Sequence, residues 1–289
     1  MHAEAAPAKL NLSLAVVGRR ADGFHDLVSV VVPLELADEL TFEPAAEWAL
    51  ACDDPSIPLD ASNLVLKAAE AYARRRPEIP RGRFHRTKPI PNGAGLGGGS
   101  SDAAAALRLL DRASGDPRGP EFLESVALEV GSDCAFFVRG LPAVMRGRGE
   151  RLEALPASVC RALAGRNVIV IKPPFGVPTP EAYALFVRHG VLRPPAQAES
   201  LLEGWMARPE TDPSLLGNDL ESPVFRKFLA LPVGLEAAGA AVGRSFRMTG
   251  SGSACFCLVR GRPDFDALRS VLQRCWGPGF WAVETRIAA

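Results

Sequence analysis

The chain of 289 residues is long enough for two domains, and its 47% hydrophobic and 23% charged residues exclude a fibrous or disordered protein. Lys plus Arg and Asp plus Glu both number 33, so the formal net charge of zero argues against nonspecific attraction to nucleic acid or an anionic membrane. No apolar run is long enough for a membrane span, and six cysteines without a C-x-x-C pair read as small buried hydrophobes of a reducing cytoplasm.

Residues 8–17 alternate, with Leu10, Leu12 and Leu14 on one face and Lys9, Asn11 and Ser13 on the other. This predicts one half-buried strand whose polar face is either solvated or functional. A turn at 19–23 leads through Phe24-His25 into a buried strand over 27–36, and 40–43 and 48–52 read as short strands. Residues 63–75 form a helix capped by Ser62 or Asn63, and 83–88 a strand. Helices follow over about 102–113 and 120–130. Asp133 then stands between a helix end and an apolar run, where a carboxylate is uncommon unless it is paired, functional or capping.

Residues 156–166 read as a domain junction, giving domains over 1–156 and 157–289. Beyond it come a strand at 167–171, a helix opened by Pro178-Thr179-Pro180 and carrying Tyr183, a loop at 194–198 and a helix at 200–207. Residues 223–231 form a helix with Ser222 as its N-cap, followed by a helix at 235–242. Strands at 245–249 and 254–259 flank a second glycine loop, Gly250-Ser251-Gly252-Ser253. A helix over 264–276 and a strand over 281–287 complete an α+β pattern.

The stretch Pro91-Asn92-Gly93-Ala94-Gly95-Leu96-Gly97-Gly98-Gly99-Ser100-Ser101-Asp102 holds five glycines within 93–99 and runs into Ala103-Ala104-Ala105-Ala106. Backbone N–H groups with few Cβ atoms around them, entering a helix N-terminus, favour an anion, and phosphate is the first candidate. The loop is not a Walker A, since no lysine follows its glycines. A dinucleotide fold requires an acidic residue on a following strand about 20 positions on. Asp116 stands there, but in the turn Ser114-Gly115-Asp116-Pro117.

Three stretches in order, Ala8-Lys9-Leu10-Asn11-Leu12, 91–101 and Thr249-Gly250-Ser251-Gly252, resemble the three motifs of the galactokinase, homoserine, mevalonate and phosphomevalonate (GHMP) kinase superfamily. Further likeness lies in Gly18-Arg19-Arg20-Ala21-Asp22-Gly23-Phe24-His25, Gly131-Ser132-Asp133 and Gly217-Asn218-Asp219-Leu220. The resemblance implies a two-domain α+β fold, with an N-terminal domain like the second domain of ribosomal protein S5 and a ferredoxin-like C-terminal domain. It implies ATP as co-substrate with Mg2+, and transfer of the γ-phosphoryl to a tertiary hydroxyl of a cytidine-diphosphate-linked methylerythritol.

By the same resemblance Asp133 is the general base and Lys9 its charge-stabilising partner. ATP is bound by Lys88 and by Pro91, Asn92, Gly93, Ala94, Gly95, Leu96, Gly97, Gly98, Gly99, Ser100 and Ser101. The second substrate is bound by Asn11, Phe24, His25, Tyr183, Thr249, Gly250 and Ser251, with aromatic rings stacking on the cytosine. Magnesium would be held by phosphates and water, with Ser100 or Ser101 as possible ligands. The implied enzyme is cytoplasmic, a monomer or weak homodimer, with no nucleic-acid or membrane partner. The chain departs from the pattern at Phe24, which replaces a tyrosine, and at Cys134-Ala135, which replaces valine and proline. Two alternatives stay open at this point: a kinase of homoserine or mevalonate type, and a nucleotide-binding relative without catalysis.

Overall fold

The alternating N-terminal stretch forms two strands, β1 (His2–Asn11) and β2 (Ala15–Arg19), not one. In the gap the backbone bonds elsewhere: Leu12 N–H donates to Val30 O at 2.8 Å and Leu14 N–H to Gly217 O at 3.0 Å. The computed structural model describes residues 2–261 and 263–288, with Ser214 and Leu215 described through their backbone alone. Two units interleave along the sequence. The first takes residues up to Lys9, Glu35–Asn92 and Gly97–Leu141; the second takes Leu10–Leu34, Gly93–Leu96 and the chain from Pro142 onward.

The two strands expected at 27–36 and 40–43 are one long strand, β3 (His25–Pro44). It stays extended past residue 38 because Glu39–Pro44 pair antiparallel with β5 (Gly82–Thr87), itself parallel to β4 (Ala49–Cys52). In the first unit, α1 (Leu64–Arg75) begins at Asn63, whose side chain accepts from Val65 N–H at 3.0 Å. Arg74 and Arg75 in its last turn oppose the negative end of the helix dipole.

Helix α2 (Gly98–Ala113) packs on α1, and Ala103–Ala106 of the one and Ala68, Ala69 and Ala71 of the other are all buried. Tyr72 OH adds a 2.9 Å hydrogen bond to Asp111 Oδ1. Helices α3 (Pro120–Val130) and α4 (Cys134–Arg139) complete this unit.

In the second unit the N-terminal half of β3 pairs with β2 and with β6 (Ala143–Gly147), which pairs with the unanticipated β7 (Arg151–Ala154). Within the stretch 156–166 lies α5 (Ala157–Leu163). Next come β8 (Asn167–Lys172), α6 (Thr179–His189), α7 (Pro195–Met206), α8 (Glu221–Lys227), α9 (Ala230–Val242), β9 (Arg247–Met248), β10 (Cys255–Leu258), α10 (Phe265–Trp276) and β11 (Trp281–Arg286). The sheet order β11-β8-β10-β9, antiparallel throughout, is the split βαβ arrangement expected of a ferredoxin-like domain.

Helix α7 begins at Pro195, inside the expected 194–198 loop, because proline is tolerated in a first helical turn. Helix α8 starts after Leu220, two residues ahead of the expected Ser222 cap, and stops at Lys227. The core of this unit gathers Ile169, Ile171, Leu220, Met248, Leu268 and Leu272, with Cys255 and Cys257 on one strand face as expected. All six cysteines are free; Cys275 is exposed and Cys52 and Cys160 half-buried, so only Cys134, Cys255 and Cys257 fit the expected burial. Among the described residues no helix is long and apolar enough to cross a membrane.

Candidate active site

In the first unit the polar face of β1 is not solvated: Lys9 is only 6% exposed. Burial disfavours its ammonium and lowers its pKa, and the Asp133 carboxylate opposes that shift by stabilising the positive form. Asp133 sits at the start of α4 in helical conformation and makes no capping hydrogen bond, so capping does not account for it. Burial pushes the pKa of the Cys134 thiol, next to Asp133, up to about 11, against the pull of the Ser100 side chain in the first turn of α2.

The start of α2 differs from expectation. The helix begins at Gly98 and not near Asp102, with Gly97 as an N-cap at φ 72° that supplies no side-chain cap. Gly98, Gly99 and Ser100 therefore present first-turn N–H groups without intrahelical partners, while Ser101 N–H already bonds Gly97 O at 2.9 Å. Only glycine fits position 97. Besides its positive φ, a Cβ there would lie 2.6 Å from Phe137 Cζ and 3.0 Å from Lys9 Cγ. Lys9, the α2 start and α4 thus converge on one another.

Beside Gly98 lies an ionic cluster that sequence reasoning missed. Lys88 Nζ is 2.5 Å from Asp38 Oδ2 and 3.7 Å from Asp102 Oδ2, and Arg86 Nη1 is 2.6 Å from Asp102 Oδ2. All four side chains are at most 3% exposed. Asp38 also accepts from Ile90 N–H at 2.9 Å. Burial raises the Asp102 carboxyl to about 6 against the pull of Lys88 and Arg86. Asp102 is therefore an interior ionic partner, not the helix-start residue expected. Lys88 Nζ lies 3.0 Å from where a Gly98 Cβ would be, placing its charge beside the first residue of α2. The alternation of Gly82–Thr87, whose even positions are buried, was the one signal that could have flagged Arg86 as an inward-pointing cation.

In the second unit Asn11 meets Thr249, and Ser251 meets Thr179. Asn11 N–H donates to Thr249 Oγ1 at 2.8 Å, and its side chain donates to Ser29 Oγ at 2.7 Å. Ser251 Oγ lies 2.9 Å from Thr179 Oγ1. Residues 93–96 of the first glycine loop belong here, since Ala254 N–H donates to Ala94 O at 3.0 Å. A Cβ on Gly95, whose φ is 78°, would fall 2.8 Å from Gly252 O. Asn92 and Gly93 are exposed and Pro91 half-buried.

The three aromatic-pocket residues are not equivalent. Tyr183 stacks on His25 with ring centroids 5.1 Å apart and an interplanar angle of 18°. Phe24 is 53% exposed with the Arg148 guanidinium 4.8 Å above its ring centroid. Burial and the positive charge of Arg19 lower the His25 pKa, which favours the neutral imidazole, a donor and an acceptor at once.

Glu221, next to this turn, pairs with Arg247 at 3.0 Å, yet burial dominates and raises its pKa to about 7. A carboxyl raised on folding contributes stability that is full below its unfolded pKa and is lost as pH rises through the folded one. Between about pH 5 and pH 8 Glu221 therefore makes stability fall. In Glu221→Gln that slope flattens, and the melting-temperature gap between the two pH values narrows by roughly 3 °C. Thermal denaturation of both proteins at the two pH values checks this; identical slopes would contradict it.

Residues 63–141 match the model of the GHMP kinases N terminal domain. Over 96% of this chain and 95% of the relative, the sequence is 39% identical to the 4-diphosphocytidyl-2-C-methyl-D-erythritol kinase of Rhodopseudomonas palustris strain HaA2. It is 38% identical to that of Bradyrhizobium diazoefficiens over 95% of this chain and 94% of the relative. A crystal structure of 4-(cytidine 5'-diphospho)-2C-methyl-D-erythritol kinase superposes with a TM-score of 0.76 at 36% identity, covering 99% of each chain. Methanococcus jannaschii mevalonate kinase superposes with a TM-score of 0.70 at 10% identity, covering 100% and 98%. That second likeness concerns the fold alone.

Proposed function

Because the chain belongs to the 4-diphosphocytidyl-2-C-methyl-D-erythritol kinase family, we propose that its buried lysine and uncapped aspartate carry the phosphoryl transfer of that family. The protein is an ATP-dependent kinase. Its reaction moves the γ-phosphoryl of ATP onto the tertiary 2-hydroxyl of 4-diphosphocytidyl-2-C-methyl-D-erythritol, a step of the non-mevalonate route to isoprenoid precursors.

Phosphoryl transfer demands positioning, neutralisation of developing charge and an acceptor for the hydroxyl proton. Asp133 takes that proton as the 2-hydroxyl oxygen attacks phosphorus. Lys9 lends positive charge to the attacking oxygen. The N–H groups of Gly98, Gly99 and Ser100 bind phosphate oxygens, with Lys88 beside Gly98 adding to the field. Neutral His25 reads the cytosine edge, and Phe24 and Tyr183 supply its aromatic surround. Asn11, Thr249, Gly250 and Ser251 contact the methylerythritol diphosphate.

Magnesium bound with ATP supplies charge neutralisation between the phosphates. Among the described residues no cluster of three carboxylate, imidazole or thiol groups gathers to hold a cation. Ser101 is wholly buried and Ser100 half-buried, so the protein's own contribution to the metal falls to Ser100. The neutral net charge and the small-molecule substrate fit a cytoplasmic monomer or weak homodimer without nucleic-acid partners.

The observation that carries the catalytic assignment is the electrostatic coupling of a buried cation on β1 to a carboxylate on α4 that caps nothing. Its test is magnesium-dependent ADP release on three alcohols. Turnover with the cytidine substrate, and none with mevalonate or homoserine, is expected. Turnover with either of the others alone would discard the substrate.

A further inference from the structure

The segment Gly217-Asn218-Asp219-Leu220 stands apart from every residue given a role above. It runs beside the gap between β1 and β2, where Leu14 N–H donates to Gly217 O at 3.0 Å and Asp219 N–H to Leu14 O at 2.8 Å. Asn218 is 8% exposed, and its amide is fully engaged. Nδ2 donates to Met248 O and to Gly250 O, both at 2.8 Å, and Oδ1 accepts from Leu220 N–H at 3.0 Å. The two carbonyls it grips flank Thr249. Thr249 Oγ1 receives Asn11 N–H, and the same turn leads to Ala254, whose N–H holds Ala94 of the first glycine loop.

We propose that Asn218 is a positioning residue of the kinase reaction: it fixes the 249–252 turn, and through that turn the shape of Gly93–Leu96 and the seat of Asn11. The inference rests on the kinase reading above. The chemistry requires an amide. A turn that must present both of its outward carbonyls to the protein interior needs two donors from one side, and of the side chains this size only an amide offers two N–H groups and an acceptor together. The neighbouring Asp219 does a different job. Its Oδ2 accepts from Val16 N–H at 2.9 Å and its Oδ1 pairs with Arg193, contacts that hold β2 and do not touch the turn.

Asn218→Asp sets a carboxylate against two carbonyl oxygens and removes both donors. Asp219→Asn is its matched control. Steady-state kinetics with ATP and the cytidine substrate, well below each protein's melting temperature, separate positioning from simple destabilisation. Loss of folded protein lowers apparent kcat and leaves KM where it was, whereas a misplaced turn raises KM. The expected result is a rise of about 10-fold in KM for both substrates in Asn218→Asp. In Asp219→Asn both KM values stay within about twofold while the melting temperature drops. Should Asn218→Asp not accumulate as folded protein, Asn218→Ala removes the donors without adding charge and is read in the same way. Unchanged KM values in the Asn218 variant, or equal KM changes in the two variants, would overturn the inference. A wild-type protein inactive on the cytidine substrate would be a different failure, overturning the kinase reading and this assignment with it.

Discussion

Asp133→Asn is expected to lower kcat by about 10²- to 10⁴-fold, the range that a positioned general base contributes. ATP affinity should stay within about twofold, since the phosphate-binding N–H groups belong to α2 and not to Asp133. Folding should survive as well, because the Asp133 side chain makes no capping bond whose loss would loosen α4. Removing the carboxylate also removes a charge that opposes desolvation of Lys9, so the lysine pKa falls further in the variant. Steady-state ADP release, together with calorimetric ATP titration, checks all of this. A variant with full turnover would remove Asp133 as the base.

The second large effect concerns Lys9. Lys9→Met keeps the length and apolar stem of the side chain and deletes the charge. Turnover should fall about 10²- to 10³-fold, as when a donor to developing oxyanion charge is lost. Stability should move the other way or not at all. Burial is the dominant influence on this ammonium, and replacing a buried charge by an apolar group of similar volume is often neutral or stabilising by about 1 kcal/mol or more. Asp133 is only half-buried, which limits the cost of leaving it without its partner. Activity lost with the melting temperature unchanged or raised marks a residue retained for chemistry. Activity and stability falling together would mean that Lys9 serves the fold.

The candidate site was legible where its chemistry is local. The glycine stretch and the second glycine turn lie contiguous in sequence, and positive φ at Gly95, Gly97, Gly250 and Gly252 explains why glycine stands there. The alternation around Lys9 identified a polar strand face but left its solvation open. The structure buries Lys9, Asn11 and Ser13 to 7% exposure or less, which periodicity alone could not reveal.

The start of α2 was misplaced because glycine is a poor helix former, which argued for a start near Asp102. Tertiary packing outweighs that propensity from Gly98 onward. The Asp38, Arg86, Lys88 and Asp102 cluster left no trace in the sequence beyond the alternation that turns Arg86 inward, and the bonds of the Asn218 brace left none. Each joins residues far apart in sequence, and each depends on strand register and loop path. The second-half alternation of strands and helices gave the α+β class, whereas β7, α5 and the true start of α7 came only with the structure.

The most direct test of the central claim is phosphorus NMR of the product formed from ATP, magnesium and 4-diphosphocytidyl-2-C-methyl-D-erythritol. The 2-hydroxyl sits on a carbon that bears no hydrogen. A phosphoryl group placed there gives a new phosphomonoester resonance without three-bond proton splitting, beside an intact diphosphate pair. That singlet, growing in step with ADP, is the predicted result. A doublet or triplet would put the phosphoryl group on a secondary or primary hydroxyl, and the absence of any new phosphomonoester would contradict the assigned reaction outright.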